Sequence, residues 1–246
     1  MLQRDVAPGI HRVEESFTNW YVVEDGSALT IVDAGLPRSW GTLQSTLRAI
    51  GRKPSDIEAL VLTHAHFDHV GFAERARKEW DVHVWVHERD RSLSRHPLHY
   101  EKEHSIARHA LNPAGVRILL SMILHGMPVT PGVKEARGFC DEDVLDVPGR
   151  PRPVFTPGHT HGHAGLHFPD RGVLISGDAL VTLDPYTGRR GPRVVSGAAT
   201  ADSMQAIASL SRLADTGAQT VLTGHGEPWT DGIQSAVERA REAGTG

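Results

Sequence analysis

The sequence is poor in several features that restrict what a protein can do. Cys140 is its only cysteine, which excludes an intramolecular disulfide framework and a thiolate-rich structural zinc site, and fits a reducing compartment. No stretch approaches the roughly 18 consecutive apolar residues of a membrane span. The N-terminal run MLQRDVAPGIHRVEE puts Arg4 and Asp5 where a signal peptide needs its apolar segment. The expectation is a soluble, cytoplasmic protein without a membrane partner. Excess positive charge is also absent. The 26 Lys and Arg face 30 Asp and Glu, a formal net charge of −4, and no basic stripe stands ready to neutralise phosphates. Nucleic acid is not an expected partner.

What the chain has in abundance is histidine, 16 in 246 residues. Histidine is the commonest metal ligand because its neutral ring nitrogen donates well at physiological pH. The length suits one domain, residues 1–246, around one core. Short strand-like runs at Ile10 to Val13, Trp20 to Val23 and Leu29 to Val32, separated by turn formers, predict an antiparallel meander. Ser39 precedes a helical pattern at Trp40, Leu43, Leu47 and Ile50 that Gly51 closes, and Ala59 to Leu62 reads as a buried strand. A helix over Val70 to Trp80 and a strand over Val82 to Val86 continue the alternation of an α/β layered domain. From about Glu88 to Arg137 no strand signal appears, so this segment reads as a helical insertion. Its apolar set Val116, Leu119, Leu120, Ile123 and Leu124 is expected to face the core, with a lid or a homodimer contact as alternatives. Strands resume at Pro153 to Thr156, Gly165 to Phe168 and Val173 to Ser176, followed by a loop from Asp184 to Gly197. A helix capped by Thr200, a strand over Thr220 to Leu222 and a helix over Ile233 to Ala243 end the chain.

Five polar, glycine-rich turns each follow a short apolar strand: VDAG at Val32 to Gly35, THAHFDH at Thr63 to His69, TPGHTHGH at Thr156 to His163, SGD at Ser176 to Asp178 and TGHGEP at Thr223 to Pro228. Strand ends along one sheet edge can converge into a single site. On extended chain His64 and His66 point to the same side, because side chains repeat every two residues, and one ion can take both. Asp68 and His69 lie on the following turn and can face a second ion. Two divalent ions about 3.5 to 4 Å apart want nitrogen and oxygen donors and a shared carboxylate, a role that suits Asp178. His159 then completes the first set and His225 the second, with a bridging water or hydroxide left as nucleophile.

This ordered combination resembles the metallo-β-lactamase superfamily, from about Trp20 to Pro228. The resemblance implies a four-layer αββα sandwich with two divalent metal ions at one edge, zinc foremost and iron or manganese as alternatives. It maps ligands onto His64, His66, Asp68, His69, His159, Asp178 and His225, and gives Asp68 and Asp178 the catalytic carboxylates. Asp33 matches a supporting acid that is not a ligand. The pattern assigns the ligand of its loop to His159, leaving His163 to support it and His161 aside. His83, His87, His96, His99, His104, His109, His125 and His167 read as surface or pocket residues, with His96, His99 and His104 the best candidates for lining the substrate cleft.

The implied reaction is hydrolysis of an ester, thioester or lactone of a small molecule. Asp178 stands where the family's true β-lactamases carry Cys or a different ligand set, which argues against antibiotic degradation. Only 21 residues follow His225, where glyoxalase II enzymes carry a helical domain. Acyl-homoserine lactonases place Tyr three residues after the bridging Asp; here that residue is Val181, with Tyr186 as a substitute. No basic arm for RNA is present. The competing reading is a persulfide dioxygenase-like oxidoreductase with one iron, which the run Gly177 to Leu180 keeps open. A metal-binding protein without turnover ranks last. The sequence does not name the substrate-binding residues.

Overall fold

The computed structural model describes residues 1–105, 107, 112–141 and 144–245. Seven strands pair in chain order into one sheet: β1 Leu2–Ala7, β2 Ile10–Glu15, β3 Thr18–Asp25, β4 Ala28–Val32, β5 Ile57–Val61, β6 His83–His87 and β7 Arg137–Phe139. β1 to β4 form the antiparallel meander, and β4 to β7 pair in parallel, as strands linked by long crossovers can. β8 Arg152–Phe155, β9 Ala164–Phe168, β10 Val173–Gly177 and β13 Thr220–Thr223 make a second sheet with β10 between β9 and β13. β11 Val181–Leu183 and β12 Arg190–Arg193 form a separate hairpin.

Period-2 alternation decides the layering. On β3, Trp20 and Val22 face one side, where they meet Trp40, Leu43 and Leu47 of α1 (Trp40–Ala49) and Ala73 and Ala76 of α2 (Ala73–Trp80). Tyr21 and Val23 face the other side and meet Leu166, Phe168, Val173 and Ile175 of the second sheet. The outer face of that sheet, with Leu174 and Val221, is covered by Leu210 and Leu213 of α5 (Ser203–Ala214) and by Ile233 and Val237 of α6 (Ile233–Ala243). Each fully buried aliphatic side chain contributes about 1.5–3 kcal/mol, so three apolar layers fix a helix–sheet–sheet–helix sandwich. This is the expected α/β architecture. No helix among the described residues is long and apolar enough to cross a membrane.

The departures from expectation have local causes. α2 begins at Ala73 and not at Val70, because residues 69–72 pair with the turn after β4: Ala34 N donates to His69 O at 2.7 Å, Gly71 N to Gly35 O at 2.8 Å and Phe72 N to Ala34 O at 3.1 Å. Asp202, not Thr200, caps α5, its Oδ1 accepting from Gln205 N at 2.8 Å. β12 carries Gly191 and Pro192, a composition that hides an edge strand, and β1 and β7 are edge strands without clear alternation. The insertion is helical as expected, with α3 Arg91–Arg95 and α4 Pro113–Leu124, while His109 lies outside the described residues. The apolar face of α4 is turned the other way, however. Gly115, Ile118 and Met122 are buried, and Leu120, Ile123 and Leu124 are exposed. Gly115 decides this, since a Cβ there would stand 2.1 Å from Tyr186 O, so only the glycine face can approach.

The contact between the first two turns depends on Gly71. A Cβ at that position would lie 2.2 Å from Leu36 C and 2.3 Å from Gly35 O, backbone atoms that cannot swing aside. We expect Gly71→Ala to cost about 1–3 kcal/mol, read as a lowered urea midpoint at constant slope. An unchanged midpoint would show that the two turns are not locked together.

Candidate metal centre

The five turns lie where the strands end. Asp33 follows β4, Thr63 to His69 follow β5, His159 follows β8, Asp178 follows β10 and His225 follows β13. β4 and β5 are parallel, β10 and β13 are parallel, and β8 and β10 both run antiparallel to β9. Their carboxyl ends therefore emerge on one edge, and all seven residues expected as ligands meet there, buried.

Three sets of potential ligand atoms lie within 4.8 Å of one another: His64, His66 and His159; His64, His69 and Asp178; Asp68, His69 and His225. Asp178 stands between the first and the last. Its Oδ2 is 3.4 Å from His159 Nε2 and 3.2 Å from His225 Nε2, and its Oδ1 is 3.6 Å from His69 Nε2. Asp68 Oδ2 is 3.4 Å from His225 Nε2. Nε2 of His64, His66, His69 and His159, and Oδ1 of Asp178, are buried without a hydrogen-bond partner. Orphaned buried acceptors are costly and uncommon, and a cluster of them around shared space is the donor set that divalent cations such as zinc require.

The back of each ring explains why these nitrogens point forward. Asp33 Oδ2 accepts from His69 Nδ1 at 2.9 Å, and Asp33 also accepts from Thr63 N and Oγ1. With its proton committed to Asp33, Thr63 Oγ1 is left to accept from His64 Nδ1 at 3.0 Å. Thr200 Oγ1 donates to Val195 O and accepts from His159 Nδ1 at 3.1 Å. His225 Nδ1 donates to Phe17 O at 2.7 Å. Four rings thus commit Nδ1 to a partner behind them and turn Nε2 toward the shared space, the outer-shell arrangement that orients metal ligands. His163 stands behind the turn that carries Asp178. Its Nδ1 meets Thr156 Oγ1 at 2.8 Å, and its Nε2 accepts from Asp178 N at 3.0 Å and Ala179 N at 3.2 Å, which fixes the turn that carries Asp178.

Burial acts on every ring, and neighbouring charge decides the outcome. It pushes His64 and His159 well below the usual value, reinforced by the adjacent imidazoles, and takes His66 down to about 4 and His163 to about 3. At His69 burial is outweighed by Asp33, Asp178 and Asp68, which raise it to about 9, and at His225 by Asp178 and Asp68, which raise it well above the ordinary range. Burial would raise Asp178, but His225 and His69 hold its carboxyl far below the usual carboxylate range. The edge is therefore a negative field that favours cations.

Several residues of this site carry no sequence signal. Arg12 is fully buried, and its guanidinium donates to Asn19 Oδ1, Gly226 O and Glu227 Oε2 at 3.0, 2.8 and 2.7 Å. Asn19 Nδ2 donates in turn to Thr223 O and Gly226 O. The loop of His225 is thus pinned to β2 and β3. Ser16 and Phe17 both have positive φ, 53° and 67°, an unusual pair for a hairpin turn that prefers Gly or Asn, and this places the Phe17 carbonyl against His225. Tyr100, from the insertion, packs its ring 4.5 Å from that of His66. Tyr186, which the sequence did single out beside Val181, reaches the same region from the β11–β12 connection, where Asp184 Oδ1 accepts from its N at 2.8 Å. The two hydroxyls engage each other, and burial raises both tyrosines.

A cavity of about 350 Å³ opens beside His66 and His159, and His96 and His99 line it. His104 instead packs on Gly197, its N donating to Gly197 O at 3.0 Å. His161 lines the cavity, and His87, expected at the surface or in a pocket, is buried and stacked on Phe155 at 4.6 Å.

Comparison with known proteins agrees with this geometry. The profile of the metallo-beta-lactamase superfamily matches residues 13–225. A probable metallo-hydrolase of Bacillus subtilis (strain 168) is 28% identical over 245 residues, 92% of this chain and 87% of its own. An N-acyl homoserine lactonase of Rhizobium radiobacter is 27% identical over 184 residues, 73% of this chain and 62% of its own. The crystal structure of a metallo-beta-lactamase family protein from Thermus thermophilus is 27% identical, with a TM-score of 0.66 over 94% of this chain and 78% of that one.

The glycine before His225 is a test of the arrangement. A Cβ on Gly224 would stand 2.0 Å from Asp178 Oδ1 and 2.9 Å from His69 Cε1. Gly224→Ala should displace the carboxylate, and Asp33→Asn should release the His69 ring. Each is expected to weaken zinc binding about 10–100-fold in chelator competition; unchanged affinity in both would show that Asp178 and His69 do not hold metal.

Proposed function

Because the chain belongs to the metallo-β-lactamase superfamily, we propose that it is a hydrolase with two divalent metal ions, mainly zinc, which cleaves an ester, thioester or lactone bond of a small molecule. The observation that carries this reading is the position of Asp178 between two complete sets of donors. His64, His66 and His159 would hold one ion, Asp68, His69 and His225 the other, and Asp178 both. When bound, such a pair supplies Lewis acidity that polarises a carbonyl and activates water at neutral pH.

The rest of the chemistry belongs to the chain. Asp33, Thr63, Thr200 and the Phe17 carbonyl fix the imidazole tautomers, so that no reorganisation is needed when substrate arrives. Leu36, Phe67, Ile118, Met122 and Leu183 form an apolar cluster to which Phe17 and Tyr100 attach, and it excludes water from one side of the centre. Tyr186 stands in for the tyrosine of the lactonases. Raised by burial, it remains protonated at physiological pH and can donate to a leaving alkoxide. The lactonase relative supports a lactone or ester, and a hydroxyacylglutathione hydrolase of Haemophilus influenzae, 26% identical over 160 residues, supports a thioester.

A mononuclear iron oxidoreductase would need only the first set and Asp178. The second set is complete here, with His69 Nε2 orphaned and His225 held from behind, which supports two ions. The test is elemental analysis followed by a panel of ester, thioester, lactone and phosphodiester substrates on one preparation. We expect about two ions per chain and turnover of lactones or activated esters. One iron per chain, with oxygen consumed on addition of a persulfide, would overturn the proposal. Tyr186→Phe is expected to lower kcat about 10²-fold on an ester with a poor leaving group and much less on a nitrophenyl ester; equal losses on both would remove the proton-donor role.

A further inference from the structure

The 350 Å³ cavity has the centre at one end, through His66 and His159, and the insertion along its walls. Its size suits a small acyl or lactone moiety, near the lower end of ligand pockets. Besides His66 and His159, four nitrogen-bearing side chains line it: Arg89, His96, His99 and His161. We propose that this cavity recognises an anionic group of the substrate, a carboxylate or a phosphate, with Arg89 as the principal partner and the three histidines around it. The inference rests on the hydrolase reading and adds the substrate class to it.

Arg89 carries the argument. Its guanidinium carbon lies 5.1 Å from the centroid of the Phe155 ring, and that ring is itself stacked on His87. A cation held by a ring face keeps its N–H edge available. No carboxylate pairs with Arg89 among the described residues. The fork of an arginine matches a carboxylate or phosphate in two parallel hydrogen bonds.

Two carboxylates share the cavity wall, and neither neutralises this cation. Asp90 is buried, and its oxygens accept from Gly162 N at 2.7 Å, Thr160 Oγ1 at 2.7 Å and Ala65 N at 3.1 Å. It serves the turns of His159 and His66, and its oxygens are satisfied there. Glu101 pairs with His161 Nε2 at 3.1 Å, both side chains largely exposed, an arrangement that a substrate anion can displace at little cost. The approach adds two further cations. A neighbouring cavity shares His96 and continues past Arg95 and Lys134, and neither pairs with a carboxylate among the described residues, whereas Arg77 and Arg91 farther along are neutralised by Glu74, Glu135 and Glu88. In a chain of net charge −4, Arg95 and Lys134 beside the cavity raise the local concentration of anions.

Two measurements test the proposal. The first compares 4-nitrophenyl hydrogen glutarate with its methyl-capped neutral ester. The acidic ester should have a kcat/KM about tenfold or more higher, and Arg89→Met should collapse that ratio toward one, with Arg89→Lys between them. The second titrates the metal-loaded chain calorimetrically with glutarate and with inorganic phosphate, which reads binding without turnover. Arg89→Met should weaken at least one of them about tenfold, and the anion that responds more identifies the group. Equal turnover of the two esters, or dissociation constants for both anions that do not respond to Arg89→Met, would overturn the inference. Arg89-dependent anion binding without hydrolysis of any ester would uphold the cavity and overturn the hydrolase reading instead.

Discussion

The organising constraint of this protein is the burial of the Asp178 carboxylate among imidazoles. An ionised carboxylate taken out of water costs several kcal/mol unless its partners offset the loss. Asp178 has three ring nitrogens within 3.6 Å, and its backbone is held by His163. Asp33 and Asp68 are buried beside it. Three negative groups at one edge demand positive charge, which protons on His69 and His225, or divalent ions, can supply. The rings of His64, His66 and His159 feel burial more than charge and stay neutral. One edge thus holds a neutral half and an ion-paired half, joined by the one carboxylate that touches both.

Keeping such a site in place falls to the turns, and the turns depend on close backbone approach. Gly224 is where it is because Asp178 and His69 occupy the space of a Cβ, and Gly71 because the turns after β4 and β5 exchange hydrogen bonds there. The strain at Ser16 and Phe17 serves the same end, since it delivers a carbonyl to His225. The two sheets supply the rigidity: apolar alternation fixes each strand, and each turn inherits a defined position from the strand before it.

What the sequence revealed follows from how local each signal is. His64, His66, Asp68 and His69 lie within six residues, a density without a packing rationale, and His159, Asp178 and His225 became readable through their order after strands. The structure gathers all of them. The layered architecture was legible because β3, β4, β5 and β10 alternate cleanly between two cores. Arg12, Asn19 and Thr200 were not legible, since their partners lie up to 215 residues away and nothing around them in sequence is unusual. The face of α4 was misread for a different reason. A helix apolar on most of its surface does not declare its inner side, and a glycine, ordinarily a weak helix residue, made the close contact with the Tyr186 backbone.

The same distinction separates the chemistry from the choice of substrate. The donors sit on turns fixed by two sheets, where small displacements are resisted by packing on both sides. The cavity walls come from the insertion, which touches the centre through Tyr100 on His66 and through Asp90 on Ala65, Thr160 and Gly162. Asp90 therefore ties the wall that holds Arg89 to the turns that hold His66 and His159. A change in the insertion can alter which acyl group fits while leaving the donors where they are, because the hydrogen bonds behind the rings run to Asp33, Thr63, Thr200 and Phe17, none of which lines the cavity. Loops on a rigid scaffold carry specificity for this reason, and here the scaffold and the loop meet beside the centre at Tyr100 and at the buried Asp90.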